Sequence, residues 1–235
     1  MAVVGFSTGC FYRAGLSVEQ AVDFYRDLGA KSVEISFATP GELRAKNRRI
    51  LDIRDILRTF ERVTFHAPFK GILYSETSVN TNSVIMSFGG FCRKIPNYGV
   101  VIHPDIIEDF GRLKDSGISF LLENMDSRKT YGTLPEHFEK LAKYGFGYVL
   151  DLHHAYQVDP SMETARRLRD VMGERLVQFH VSGDSKGKHA PLHLAENRKK
   201  IEEILRENPS VPIILEGEMD KEETARRELE YVCGI

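Results

Sequence analysis

Two kinds of segment alternate along this chain. Short unbroken apolar runs recur, and the longer stretches between them carry apolar residues three and four positions apart. The first kind reads as a strand buried on both faces, the second as a helix with one face on a core. Ala2 to Ser7 is the first run, and Ser17 is placed to cap a helix carrying Val18, Ala21, Val22, Phe24, Tyr25 and Leu28. Gly29 closes that helix, and LGAKSVEISF starts a second strand in which Glu34 is the first acid near a strand end. Pro40 to Phe60 predicts helix in two pieces, with Leu51, Ile53, Ile56 and Leu57 on the apolar face and the charges on a solvated outer surface.

The alternation continues to the end. RVTFHAPF is the third strand; a long segment through Tyr74 and Asn80 leads to a helix around Val84 to Ile95, and GVVIHPD is the fourth strand. ISFLLENMD follows as the fifth, a helix near Leu134 to Lys143 precedes YVLDLHHAY as the sixth, and Ser161 to Met172 is helical. RLVQFHVSGDSKGKHAPL makes the seventh strand with a polar, glycine-bearing loop behind it. A helix over Leu194 to Arg206 leads to VPIILEGEM, the eighth, and Glu222 to Val232 is a closing helix. No Pro/Gly/Ser linker or low-complexity run divides the series. Eight parallel strands joined by helical crossovers close into a (β/α)8 barrel, so residues 1–235 are expected to form a single α/β TIM-barrel domain.

Composition narrows the function without naming it. With 32 Lys+Arg against 34 Asp+Glu the net charge is -2, which gives no global pull toward nucleic acid and leaves room for a local basic patch. The three cysteines, Cys10, Cys92 and Cys233, are odd in number and lack CxxC spacing, so neither a disulfide framework nor a cysteine zinc site is indicated and a cytoplasmic setting is expected. No leader pattern opens the sequence and no apolar run approaches the roughly 20 residues that span a bilayer, so a membrane is not an expected partner.

The chemistry is concentrated at the strand ends. From the third strand onward each ends in a group able to bind metal: His66, His103, Glu123, Asp151 with His154, His180, and Glu216. Their intervals of 37, 20, 28, 29 and 36 residues are those of successive strand–helix units, so a barrel would gather them on one face. A single strand-end histidine is more often a hydrogen-bonded core or loop residue than a ligand. Six consecutive strands that end this way are another matter, because a divalent cation is the simplest common partner for so many buried acids and imidazoles. A mixed His/carboxylate set suits Zn, Mn, Fe or Co.

The motifs FHAPF, VIHPD, LLEN, LDLHHA, FHVSGDSKGKH and ILEGE, spread from Phe65 to Glu216, resemble those of the xylose-isomerase-like TIM barrel superfamily, which includes sugar isomerases, epimerases and the abasic-DNA-cutting zinc enzyme endonuclease IV. The isomerase and epimerase branch implies a divalent metal (Zn, Mn or Co) held by Glu123, Asp151, His180 and Glu216, with Glu123 and Glu216 also moving protons on the substrate carbon through an enediolate and with His154 facing the substrate. The endonuclease branch implies one zinc on His66, His103 and Glu123, a second on Glu123, Asp151, His180 and Glu216, and a third on His154 and His189. Two departures weigh against that branch. The Asp expected two residues before His189 is Gly187, and KGILYSETS follows HAPF where a DNA-probing loop would stand.

The resemblance therefore implies a divalent-metal-dependent isomerase or epimerase of a small sugar, sugar phosphate or related hydroxycarbonyl compound. DNA is a partner only under the alternative, an endonuclease IV-like zinc phosphodiesterase; a further alternative is a non-catalytic sugar- or metal-binding barrel, and a homo-oligomer stays open. Lys186 and Lys188, in the loop after the seventh strand, are candidates for holding a substrate phosphate, with Arg13 and Lys70 as others, although a solvated polar turn explains the first two equally well. Phe11, Tyr12 and Phe69 are candidates for stacking on a sugar. His153 is expected to point away from the site as an exposed or packed imidazole, and His137 and His193 to lie on the surface.

Overall fold

The structure, a computed structural model, describes residues 3–75 and 77–235, so the Ala2 start of the first expected strand lies outside the described residues. Eight parallel strands form the closed barrel: β1 Val4–Ser7, β2 Ser32–Ser36, β3 Arg62–His66, β4 Val100–Ile102, β5 Phe120–Glu123, β6 Gly147–Asp151, β7 Leu176–Val181 and β10 Ile213–Leu215. They pair in sequence order, and the ring closes where Phe6 of β1 stands opposite Leu215 of β10. Most strand residues are buried, as expected of strands covered by helices outside and by one another's side chains within.

Helices fill the crossovers. They are α1 Val18–Asp27, α2 Pro40–Asp52, α3 Arg54–Leu57, α4 Val79–Lys94, α5 Phe110–Lys114, α6 Pro135–Leu141, α7 Leu152–Val158, α8 Glu163–Met172, α9 Arg198–Glu207 and α10 Glu222–Cys233. Ser17 caps α1 as the sequence predicts, accepting from the Gln20 N–H while Gln20 returns the bond to the Ser17 N–H. The helix expected around Val84 starts earlier because Ser78 caps it, accepting from the Thr81 N–H at 3.3 Å. Between α4 and the barrel, Phe37, Phe65, Phe88 and Phe91 stack or meet edge-on at 5.3–6.3 Å, filling the gap behind β2 and β3.

Two departures from the expected elements bear on the site. The sixth strand does not run through LDLHHAY: it stops at Asp151, and the next residues form α7. Asp151 causes the switch, since its Oδ1 accepts the His154 N–H at 2.7 Å and caps the helix. The loop after β7 is also more ordered than expected. It is an antiparallel hairpin of β8 Gly183–Ser185 and β9 Lys188–Ala190, turned through Lys186 and Gly187 at φ 53° and 77°. Buried Glu228 of α10 pins the segment behind it, accepting from the Leu192 and His193 N–H groups at 2.6 and 3.0 Å and from His193 Nδ1.

Candidate metal centre at the barrel mouth

The carboxyl ends of β3 to β7 and β10 converge, and Glu123 stands where they meet. Its Oε2 lies 3.1 Å from His66 Nε2 and 3.2 Å from His103 Nε2; its Oε1 lies 3.1 Å from His180 Nδ1. One carboxylate thus touches three imidazoles from three strand ends. His66 is aimed by its other nitrogen, which donates to the Ala67 carbonyl at 3.0 Å. His66, His103 and Glu123 bring one ligand atom each to within 4.8 Å of one another.

Glu123, Asp151, His180 and Glu216 form a second such group within the same 4.8 Å. Asn124 fixes Asp151 by its backbone, accepting from the Asp151 N–H at 2.6 Å and donating to its carbonyl at 3.0 Å. With Oδ1 spent on capping α7, the buried Oδ2 of Asp151 has no hydrogen-bond partner among the described residues. His180 stands level with Asp151 across the β6–β7 ladder, and its far nitrogen, Nε2, faces the Glu34 carboxylate at 3.2 Å. Glu34 in turn accepts from Thr64 Oγ1 at 2.9 Å and Gln178 Nε2 at 2.8 Å, a fully buried polar layer inside the barrel.

A third group qualifies the expectation for His153, which is packed, as one of the two expected states, but lies beside His154 and His189. A strand would have sent His153 and His154 to opposite faces; on the first turn of α7 their side chains diverge by only about 100°, and the hairpin brings His189 to them. His153 is 1% exposed, and the three rings offer nitrogens within 4.8 Å of one another. Gly187, where a carboxylate was expected, lies at the hairpin turn.

Electrostatics in this crowd are governed by burial against pairing. Burial disfavours the charged form of His66, yet Glu123 outweighs it and pushes the ring up to about 9. Burial likewise works against charge on Glu123, but His180 and the hydrogen bonds from the surrounding imidazoles hold it well below the usual carboxylate range. Glu216 goes the other way: burial, joined by Glu123 and Asp151, overcomes His180 and pushes it up to about 7. Burial drives His189 down to about 3, which keeps its ring neutral.

A cavity of about 560 Å³ opens over these groups, and His66, His103, Glu123, His154, His189 and Glu216 all reach it. Lys70, Arg128 and Lys129 form a cationic rim; Arg128 is held by Asp126 at 2.6 Å and Lys129 by Asp105 at 2.7 Å. Of the expected phosphate-binding residues, Lys70 lines the cavity, Arg13 pairs with Glu218 at 3.2 Å, and Lys186 and Lys188 sit exposed on the hairpin outside the lining. Among the aromatics, Phe69 lines the cavity and stacks on His103 at 5.1 Å. Tyr12 is 81% exposed, whereas Phe11 is turned into the core against Phe24.

These residues fit divalent cations. Buried carboxylates repel one another strongly enough to raise Glu216, the Asp151 Oδ2 is an orphaned buried acceptor, and imidazoles and carboxylates converge without a buried lysine or arginine among them. Positive charge placed between them would satisfy all three conditions.

No family model matches the chain, and no curated protein matches it. Among solved structures it is similar to a D-tagatose 3-epimerase-like protein, with a TM-score of 0.72 and 19% identity over 100% of this chain and 99% of that one. A xylose isomerase domain containing protein from Salmonella typhimurium LT2 gives 0.68 and 13% over 99% and 96%, and SacUVDE gives 0.64 and 14% over 100% and 99%. The chain shares its TIM-barrel fold with these structures. A shared fold does not fix a reaction, so the chemistry has to be argued from the site itself.

Proposed function

We propose that the chain is a metal-dependent hydrolase of phosphate esters, using divalent cations at the barrel mouth. One observation carries this reading: both oxygens of Glu123 are taken up by imidazoles, Oε2 by His66 and His103 and Oε1 by His180, and its side chain is 1% exposed. A carboxylate enclosed in this way is poorly placed to take a proton from a substrate carbon, as the isomerase reading asks, and well placed to be shared by two cations. His66, His103 and Glu123 would hold one, and Glu123, Asp151, His180 and Glu216 another. Such cations supply charge stabilisation for the oxygens of a phosphoryl group and make water more acidic.

The protein's own groups contribute the rest. Lys70, Arg128 and Lys129 ring the cavity with positive charge suited to attracting an anionic ester, and Arg128 and Lys129 are held in place by their own carboxylates. Phe69, stacked on His103, covers one wall and limits water there. Glu216, with 16% of its side chain exposed, carries the second candidate cation set to the wall of the cavity.

That same Glu216 supports the second reading, an isomerase or epimerase of a small sugar or sugar phosphate, because a carboxyl group pushed up to about 7 suits proton transfer at carbon. The two are separated by incubating purified protein, with Zn, Mn or Co and with chelator, against bis-p-nitrophenyl phosphate, p-nitrophenyl phosphate and a duplex bearing one abasic site, beside an aldose and ketose panel in deuterated water. Cation-dependent phosphoester cleavage without carbon-bound deuterium is expected. Deuterium exchange without cleavage transfers the assignment to the isomerase.

A further inference from the structure

Three imidazoles meet beside the Glu123 centre with their outward nitrogens already engaged. His153 Nε2 faces Asp184 Oδ1 at 3.1 Å, His154 Nδ1 donates to the Asn124 carbonyl at 2.9 Å, and His189 Nδ1 lies 2.9 Å from Ser182 Oγ. Each ring keeps one nitrogen outside these bonds, and the three rings can offer one nitrogen each within 4.8 Å of one another. The His153 Nδ1 is buried and has no hydrogen-bond partner among the described residues. The ring of His153 lies 4.2 Å from that of His189, and His154 meets His189 edge-on at 5.4 Å.

Bonds of this kind, from the far ring nitrogen to a carboxylate, a carbonyl or a hydroxyl, set the tautomer and orientation of metal-binding histidines. A buried imidazole nitrogen without a partner among the described residues, set beside two further imidazoles, is an arrangement that a shared cation would satisfy. The hairpin explains how the group assembles: β8 carries Asp184 directly opposite His189 of β9, so one short ladder delivers both a ligand and the residue that orients the next one.

We propose that His153 completes a cation site with His154 and His189, taking the place of the carboxylate missing at Gly187, and that Asp184 is the positioning residue that aims it. The superfamily resemblance gives neither His153 nor Asp184 a part. Three neutral imidazoles favour Zn, Co, Ni or Cu over Mg or Ca, which seek oxygen ligands. They also leave the charge of the cation uncompensated, unlike the carboxylate-rich centre beside it. Because His154 and His189 open on the cavity, the remaining coordination position is directed at an anionic oxygen of the substrate. The site stands whether the chain hydrolyses or isomerises, since it is counted without any substrate.

The test is a zinc count per chain by elemental analysis after loading and gel filtration, with a cobalt(II) absorption spectrum in parallel. Wild type is compared with His153→Ala, His153→Gln and Asp184→Asn, each checked for fold by circular dichroism. Both His153 variants are expected to hold one zinc fewer and to lose the part of the cobalt spectrum that titrates last. Asp184→Asn is expected to keep the full count at saturation but to bind the last zinc about 10- to 100-fold more weakly. An equal zinc count in wild type and a folded His153 variant overturns the site, and unchanged affinity in Asp184→Asn overturns the role of Asp184.

Discussion

The Glu34 carboxylate lies 3.2 Å from His180 Nε2, on the side of the ring opposite Glu123, which is 3.1 Å from Nδ1. His180 is therefore gripped at both nitrogens, and the grip on the far side fixes which nitrogen is free for a cation. Glu34→Gln keeps the shape but removes the charge that makes the ring a stronger donor. Zinc affinity is expected to fall about 10- to 100-fold, with little change in kcat once zinc saturates. Competition against a chromophoric chelator reads the affinity, and an unchanged value would remove Glu34 from the metal centre.

Glu123→Gln strikes both of the groups that share this residue. It takes away the anion facing His66, His103 and His180, so two cations should be lost together and phosphoester turnover should drop on the order of a hundredfold or more. Elemental analysis paired with turnover checks this; loss of a single cation would show that Glu123 is not shared.

Acid–base behaviour without cations follows from His66. Its ring titrates at about 9 in the folded protein against an ordinary 6.5, so between these values the folded chain keeps a proton that the unfolded chain has released. Stability from the His66–Glu123 pair is thus complete below pH 6.5 and is lost as the pH rises through 9. His154 and His180 are raised too and act in the same direction, while His103, His153 and His189, all lowered, are neutral in both states across that interval. In chelator, Tm should fall over this range. Zinc displaces those protons, so the Tm increment it gives should grow over the same range. Thermal unfolding at a series of pH values measures both, and a Tm in chelator that climbs with pH would contradict the pairing.

Phe88 is fully buried and meets Phe37, Phe65 and Phe91 behind the strand that ends in His66. Phe88→Ala is expected to cost about 3–5 kcal/mol, through lost burial and the cavity left behind. Urea unfolding gives the figure, and a loss under about 1 kcal/mol would mean that the site collapses around the gap.

The strands and the residues that end them were legible because both depend on local pattern. Continuous apolar runs mark the eight strands, and an acid or histidine at the end of each run from the third onward marks the mouth. What escaped depends on register and on local competition. Glu34 sits in SVEIS among apolar neighbours; an acid there needs a partner, but only the barrel's closure makes that partner His180. His153 was misdirected by reading LDLHHAY as strand, where a period of two separates adjacent histidines. Asp151 instead starts a helix, where adjacent side chains diverge by about 100° rather than alternating between opposite faces. The hairpin after β7 was read as a plain loop because its two short strands satisfy each other and bury little apolar surface. Arg128 and Lys129 carry no pattern of their own; the carboxylates that hold them, Asp126 and Asp105, lie at strand-end loops that only tertiary structure brings to the cavity.

The chain closes into a ring where β1 meets β10, and Glu216 directly follows that last strand. During synthesis, residues 213–215 have to be made before the first strand finds its second neighbour, and Glu216 reaches the centre only after them. No chain that stops short of residue 216 carries the complete set of candidate ligands.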